Sequence, residues 1–517
     1  MVDIKEVEEV ISKSFLPPPK HIYISEKPVQ VERGEERFWI MGAQKRGQDM
    51  IILTPYSTVE NIIHECLPPY EGVFTDAGVV PICEIKEGDR VLGHDGYFHI
   101  VEKVISHRYK GPMLRISTSH ISIPLELTPN HPVFVRETGP FGQRYTWKKA
   151  SELKVGDEIA ITKFRWEYNR KLKISEITGR HSDGEYVLKG TWKNSHKIKD
   201  NIPITHELME LTGFYVADGG ISGGSVHITL GKSEEEKASR LKELFKSVFG
   251  LEASIRRYER CIRVTCNSRV LVDFFKQFGG SRNRTLPFWV MSADRDLQLS
   301  FLKGYLQGDG HVGYKSCWGK NYGYFFVSTV SKNLAFQLYQ ILLRLGALPS
   351  LSTTINRGFK KNIIYRIDCK GRAERELLRR MGLFNGDEET RIDRKYGYYS
   401  GGHLWVKITD IQSYSYDGIV YNLEVRGAHS YLAELRAVHN CAHNLGFGEL
   451  GAQIIGKLGA LRQKLLPCIF RRKVKYTLVE EDAAEKLGFK EAGGHYILRE
   501  KTRTAYQVKH FVLEGVE

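Results

Sequence analysis

The chain has 517 residues, a net charge of +15 and 41% hydrophobic residues, a globular balance that excludes a disordered chain. No apolar run approaches the ~18 residues of a membrane-spanning helix, and the opening MVDIKEVEEVISKSF lacks a signal-peptide core, so a soluble, cytoplasmic protein with no membrane partner is expected. Eight scattered cysteines argue against a disulfide framework, and Cys261 and Cys266 lack the partners of a zinc site and are read as packing residues.

The first elements have the size and spacing of a small α+β domain. Ile4, Val7, Val10 and Ile11 mark an amphipathic helix that the prolines of LPPPK stop. KHIYISEKPVQVE, ERFWIMGAQ and GQDMIILTP read as strands. STVENIIHE then starts a helix, with Ser57 and Glu60 at capping-box spacing. That helix runs into Cys66 and LPPYEG, where prolines forbid it.

From Cys66 the character changes. Residues 1–65 carry a net −3, residues 441–517 a net +4, and residues 66–440 a net +14, so a polyanionic partner belongs to the middle. After Cys66 come VFTDAGVVPICEIKEGDRVLGHDG, then LTPNHPVFV with Thr128 and His131, then ASELKVGDEIAI; far downstream, GIVYNLEVRGAHSYLAELRAVHNC carries His429 and the run His439-Asn440-Cys441. Together and in this order the blocks resemble an intein, a self-excising protein segment, spanning residues 66–440. The resemblance implies an all-β splicing (Hint) fold from 66–165 and 396–440. It further implies that Cys66 attacks the Glu65 carbonyl, that Thr128 and His131 assist the departing nitrogen, that Cys441 takes over the acyl group, and that Asn440 cyclises with help from His429 and His439, without a cofactor. Asn422 stands where many inteins have Asp, and an amide cannot carry a proton, which puts the coupling of the two half-reactions in question. A non-splicing autoprocessing domain of the hedgehog kind is the rival, and it needs neither Asn440 nor Cys441.

Between these blocks, residues 166–206 are basic with Trp and Tyr, either a DNA-contacting arm or a solvated linker. Residues 207–395 hold an internal repeat: LTGFYVADGG (211–220) parallels LKGYLQGDGH (302–311), and each copy reads helix, strand, strand, helix, strand, strand, helix. Each copy resembles a LAGLIDADG homing endonuclease, which implies an α+β pseudo-twofold unit, monomeric and binding double-stranded DNA. Gly213 and Ala217, with Gly304 and Gly308, would let two helices cross closely. Each helix would deliver one acid, Asp218 or Asp309, to hold Mg²⁺ against a phosphate. Lys232 and Lys332 hold equivalent places in the repeat and are candidates to stabilise charge at that phosphate. The alternative is a DNA-binding precursor with an inactive nuclease.

Joining Glu65 to Cys441 repairs the interrupted helix as STVENIIHECAHNLGFGE, ending at Gly446. A further helix, a strand, a short helix and a final hairpin (GHYILREKTRTAYQVKHFVLE) follow, so the ends together make 142 residues. The repaired helix reads H-E-x-x-H-x-x-G-x-x-E and resembles the zincin metalloproteases. That resemblance implies Zn²⁺ held by His64, His443 and Glu449, Glu65 as general base, and a peptide substrate. No Met follows Cys441, so the Met-containing turn of the metzincins is missing. The alternative is a non-catalytic helical core.

Overall fold

Two units make up the chain: Met1–His64 with Cys441–Glu517, and Glu65–Asn440. The computed structural model describes residues 66–139, 142–167, 171–187, 197–317, 320–355, 362–384 and 398–440, together with five strands of the first unit. In that unit Val29–Arg33 pairs with Glu36–Ile40, and Ala492–Arg499 pairs with Lys509–Glu514, the hairpin expected at the C-terminal end. Asp49–Met50 also pairs with Leu498 and Arg499, so the two ends of the chain share one sheet.

The second unit is organised by two long strands, Phe98–Thr118 and His403–Val425, antiparallel to each other along nearly their whole lengths. Register shifts near Ile408–Asp410 and Glu424–Val425 mark bulges, which bend the ribbon and increase its twist. Pro132–Gly139, Glu158–Thr162, Ser430–Ala433 and Arg436–His439 close around one end of the ribbon. The strand Glu158–Thr162 bonds to three partners at once. Apolar residues such as Leu127, Val133, Ile159, Ile161, Val406, Leu423 and Val438 alternate inward and are fully or nearly fully buried, as a sheet folded onto itself requires.

The repeat has the same element order in both copies. The first runs His206–Asp218, Gly219–Ser222, Ser225–Gly231, Glu235–Phe249, Ser254–Arg257, Cys261–Asn267, Arg269–Lys276; the second runs Arg295–Gly308, Gly310–Cys317, Lys320–Thr329, Lys332–Arg344, Ser350–Ile355, Ile363–Cys369, Arg372–Arg380. The leading helices begin at Thr205 and Asp294, whose side chains accept the Leu208 (3.3 Å) and Leu297 (2.8 Å) N–H groups. They pack on each other because glycine lets them. A Cβ on Gly213 would lie 2.2 Å from the Phe301 carbonyl oxygen, and one on Gly304 would lie 2.1 Å from that of Glu210.

The two sheets of the repeat differ in one respect that its periodicity does not foretell. The first is a separate four-stranded sheet, whereas the second runs on into the long-ribbon sheet through a parallel pairing of Leu351 with Ile121. Within residues 166–206, the described segments fold: Asp200 accepts the Ser175 N–H (2.7 Å) and hydroxyl (2.9 Å), and Arg180 pairs with Asp273 of the first repeat. Cys261 and Cys266, five positions apart on one strand, face opposite sides, so they cannot share a metal ion. Among the described residues no helix is long and apolar enough to cross a membrane.

Candidate active sites

Cys66 is fully buried at the mouth of the long ribbon, in contact with Tyr109, Met113 and Val420. Its N–H donates to Thr128 Oγ1 (2.9 Å), and its carbonyl accepts the Thr128 N–H (3.0 Å). The His131 N–H donates to the Thr128 carbonyl (3.0 Å), so Thr-Pro-Asn-His closes a four-residue turn. That turn accounts for the Thr-x-x-His spacing: it sets Thr128 Oγ1 on the Cys66 amide and buries the His131 side chain three residues on. On the other side Leu67 exchanges backbone bonds with Tyr421 (2.8 Å each way), an antiparallel bridge that sets Asn422 opposite Cys66. Asn422 Oδ1 accepts from the Leu423 N–H (2.7 Å) and the Tyr431 hydroxyl (2.8 Å).

Asn440 enters from the hairpin of Ser430–Ala433 and Arg436–His439. The register Val438↔Val133, continued two residues, sets it opposite His131. Its N–H donates to the His429 carbonyl (3.0 Å). With its side-chain amide oriented to satisfy both neighbours, Nδ2 donates to the same carbonyl (2.9 Å) and Oδ1 accepts the Val425 N–H (3.0 Å). His439 Nδ1 lies 2.8 Å from the Asn440 carbonyl oxygen. A carbonyl only accepts, so Nδ1 carries the proton and points it at the carbon that the Asn440 side chain can reach.

Sequence reasoning missed the wall behind His439. Trp147 meets the His439 ring edge-on at 4.9 Å and His94 at 5.3 Å, and Phe134 joins His94, His403 and Trp405. His94 Nδ1 sits 2.7 Å from Ser430 Oγ, and burial holds its pKa below the usual histidine value. A lone histidine in a Gly-His-Asp-Gly turn carries no sequence signal of this; only the fold brings it to Ser430.

The hairpin turn itself is strained. Glu434 and Leu435 both have positive φ (45° and 71°), which side chains other than glycine rarely adopt and which costs about 1–3 kcal/mol per residue. Glu434 Oε1 accepts the Gly72 N–H (2.7 Å) and Lys332 Nζ (2.5 Å), and the Arg436 guanidinium donates to the Glu434 carbonyl (2.7 Å). Lys332, expected from the repeat to serve a phosphate, is therefore committed to a carboxylate of the long-ribbon fold. Its counterpart Lys232 is exposed, in the turn after Ser225–Gly231. The repeat equated two positions whose neighbours differ, because only the second copy abuts the ribbon.

The leading helices of the repeat end at the second cluster. A Cβ on Gly308 would lie 2.9 Å from Asp218 Oδ2, which places that carboxylate against the end of the opposite helix, beside Asp309. Burial, then the charge of Asp309, raises the Asp218 pKa to about 6; burial also raises that of Asp309, opposed by Arg284. Arg284, buried and braced by the Gly219 (2.8 Å) and Gly279 (3.1 Å) carbonyls over the Tyr215 ring, is the cation whose field reaches both acids. Its position between the copies, outside the repeated motif, hid it from the sequence comparison. A cavity of about 280 Å³ opens there, lined by Ala217, Arg284, Tyr305, Asp309 and Ser328 among others. Asp218 and Asp309 present neighbouring carboxylate oxygens, hard donors of the kind a divalent cation takes.

His64, Glu65, Cys441, His443 and Glu449 lie outside the described residues, and so does the helix that would join them.

A family model described as the intein splicing domain matches residues 73–440. An uncharacterized protein of Methanocaldococcus jannaschii is 27% identical over 427 residues, covering 73% of this chain and 50% of its own. The ATP-dependent DNA helicase Hel308 of Thermococcus kodakarensis is 27% identical over 417 residues, covering 73% of this chain and 36% of its own. The chain thus spans half or less of the curated relatives it matches. The homing endonuclease I-DmoI in complex with DNA and Mn resembles it at 15% identity and a TM-score of 0.27, covering 35% of this chain and 98% of that one.

Proposed function

Because the chain belongs to the intein splicing domain family, we propose that it is a precursor that excises residues 66–440 and ligates Glu65 to Cys441. The observation that carries this reading is the contact of His439 Nδ1 with the Asn440 carbonyl oxygen (2.8 Å), at a strand end whose register sets Asn440 opposite His131, in the turn whose Thr128 holds the Cys66 N–H. In the first step the Cys66 thiol adds to the Glu65 carbonyl. The C–N bond breaks as the S–C bond forms, and the nitrogen takes up a proton. Thr128 holds that nitrogen's N–H, and His131, fixed by the same turn, supplies the proton. The Cys441 thiol then displaces Cys66 from the thioester and leaves a branched chain.

Asn440 resolves the branch. Its Nδ2 attacks its own carbonyl carbon, a succinimide closes, and the Asn440–Cys441 bond breaks with a proton to the Cys441 amine. His439 polarises the attacked carbonyl through Nδ1, while His429, through its own carbonyl, holds the attacking amide in place. An S-to-N shift finally restores a peptide between Glu65 and Cys441. Asn422 is fixed by two hydrogen bonds to its oxygen, so in this reading it positions Cys66 rather than moving a proton.

Mass spectrometry of the expressed chain tests this. Products of 142 and 375 residues are expected, and Cys66→Ala with Asn440→Ala should leave only full-length precursor. Ligated product from that double variant would sink the assignment.

The repeat, on this proposal, is a DNA endonuclease acting on double-stranded DNA. Asp218 and Asp309 would hold Mg²⁺, which when bound activates water and offsets charge on a scissile phosphate. Arg284 supplies fixed positive charge at the same place, opposing the burial and the Asp309 charge that raise the Asp218 pKa to about 6. For the ligated ends the proposal is a zinc hydrolase of peptides, with His64, His443 and Glu449 as ligands and Glu65 as base; it rests on the joined sequence alone. The 142-residue product should then retain about one zinc on dialysis, and the His64→Ala/His443→Ala product none.

A further inference from the structure

The hairpin that presents His439 and Asn440 is held at its turn by a residue of the nuclease repeat. Glu434 is 3% exposed. Its Oε1 takes the Gly72 N–H and the Lys332 ammonium, and among the described residues its Oε2 has no hydrogen-bond partner. Glu71, fully buried, faces the same carboxylate, and Arg436 lies beneath with its guanidinium on backbone carbonyls and Thr118. Glu434 and Leu435 hold left-handed backbone geometry, which persists only where surrounding contacts over-determine it. Lys332 heads the helix Lys332–Arg344, and the rest of that helix is anchored in the same fold. Asn333 Oδ1 accepts the Val79 N–H (2.9 Å), and Gln340 bonds the Phe164 N–H (3.0 Å) and the Thr162 carbonyl (2.9 Å). The ammonium is therefore delivered to Glu434 from a helix fixed at both ends.

From this juxtaposition we infer that Lys332 is a positioning residue for Asn440 cyclisation: by clamping the Glu434–Leu435 turn it sets the register of the hairpin whose far end presents His439 and Asn440. The inference rests on the splicing reading above. It assigns a residue of the nuclease repeat to the splicing reaction and withdraws it from phosphate chemistry. Without the ammonium, the Glu434 carboxylate stays buried, facing Glu71, with its nearest cation gone. The strained turn then relaxes to a geometry that relieves it, and the carbonyl of Asn440 leaves the reach of His439. Removing both charges together leaves a neutral turn that Gly72 still holds.

The test isolates each half-reaction in the full chain. Cyclisation is read as cleavage after Asn440 in a Cys66→Ala background; the N-terminal step is read as thiol-induced cleavage before Cys66 in an Asn440→Ala background. Lys332→Met should slow the first about tenfold and the second by less than about threefold. Lys332→Arg, and Lys332→Met combined with Glu434→Gln, should both return cyclisation to within about threefold of the parent. Normal cyclisation in Lys332→Met, or equal slowing of both half-reactions, overturns the inference while leaving splicing intact. So does loss of DNA cleavage with cyclisation unchanged, which would return Lys332 to the nuclease. Should Lys332→Met prove insoluble, the neutral double variant decides: rapid cyclisation supports the clamp, and a soluble but inert protein overturns it. If the Cys66→Ala parent with native Lys332 fails to cleave after Asn440, the splicing reading itself falls, and this inference with it.

Discussion

His403 carries a consequence for pH that its sequence context does not announce. It is buried among Phe134, Trp405 and Thr162, whose hydroxyl lies 3.0 Å from its Nδ1. Burial first, then Arg165 and His94, push its pKa down to about 4, with Asp95 opposing. The folded protein therefore keeps this ring neutral while the unfolded chain protonates near pH ~6.5. Its contribution is complete above that pH, falls as the pH drops from about 6.5 to about 4, and levels off below. The range corresponds to about 3 kcal/mol. We predict that His403→Phe, which keeps a ring in the aromatic cluster, flattens this limb. In urea titrations of the Cys66→Ala/Asn440→Ala precursor, the stability lost between pH 6.5 and 4.5 should shrink by about 2 kcal/mol. An unchanged loss would mean that the ring is already charged in the folded state. Lys332 makes the same point by another route: its place in the repeat suggested phosphate chemistry, and the fold pairs it with Glu434.

At the level of elements, the paired helices His206–Asp218 and Arg295–Gly308 show how propensity yields to packing. Alanine is about 1 kcal/mol better than glycine inside a helix, so Gly304→Ala ought to stabilise the isolated segment. In the fold, the added Cβ would sit 2.1 Å from the Glu210 carbonyl oxygen, and a backbone atom cannot swing aside. The helices must part, and with them the two acids at their ends. Gly304→Ala is predicted to destabilise by about 3 kcal/mol net, seen as a lower thermal midpoint. Gly280→Ala, where a Cβ meets nothing within 4 Å, should be close to neutral. Equal midpoints for the two variants would show that the helices do not depend on this contact. The repeat, its element order and the small residues of the crossing were legible in the sequence, because they recur at matched positions and follow local periodicity. Arg284 was not, because it stands once, between the copies, and acquires its place only when the helices meet.

At the scale of the molecule, the question is whether two chemistries sharing one unit interfere. On the proposed reading, Cys66, Thr128, His131, His439 and Asn440 serve one chemistry and Asp218, Asp309 and Arg284 the other. The Lys332–Arg344 helix, the Leu351–Ile121 pairing and the Ser122–Thr353 contact tie the repeat to the ribbon. Asp218→Asn or Asp309→Asn keeps the shape and removes one carboxylate. Each is expected to lower cleavage of a duplex spanning the uninterrupted Glu65–Cys441 codon junction by roughly 100-fold or more, with splicing unchanged. Cleavage that survives both substitutions together would place the metal elsewhere.

By itself the sequence determined the order of the motifs. The Cys-first block, the Thr-x-x-His turn and the His-Asn-Cys end are local, since a turn or a neighbouring peptide is enough to bring each set of atoms together. The repeat's αββαββα order is local in the same sense, being read from periodicity and turn residues. What only the tertiary structure decided is every partnership made across long separations: Asn422 opposite Cys66, Asn440 opposite His131, His94 on Ser430, Lys332 on Glu434, Arg284 between the acids. The pairings of Asn422 and Asn440 depend on strand register, where a slip of one residue turns each side chain to the other face; the others depend on how helices and turns pack against the ribbon. Register is set by the bulges and bridges of the long ribbon, which involve residues hundreds of positions apart, and no window of sequence contains them.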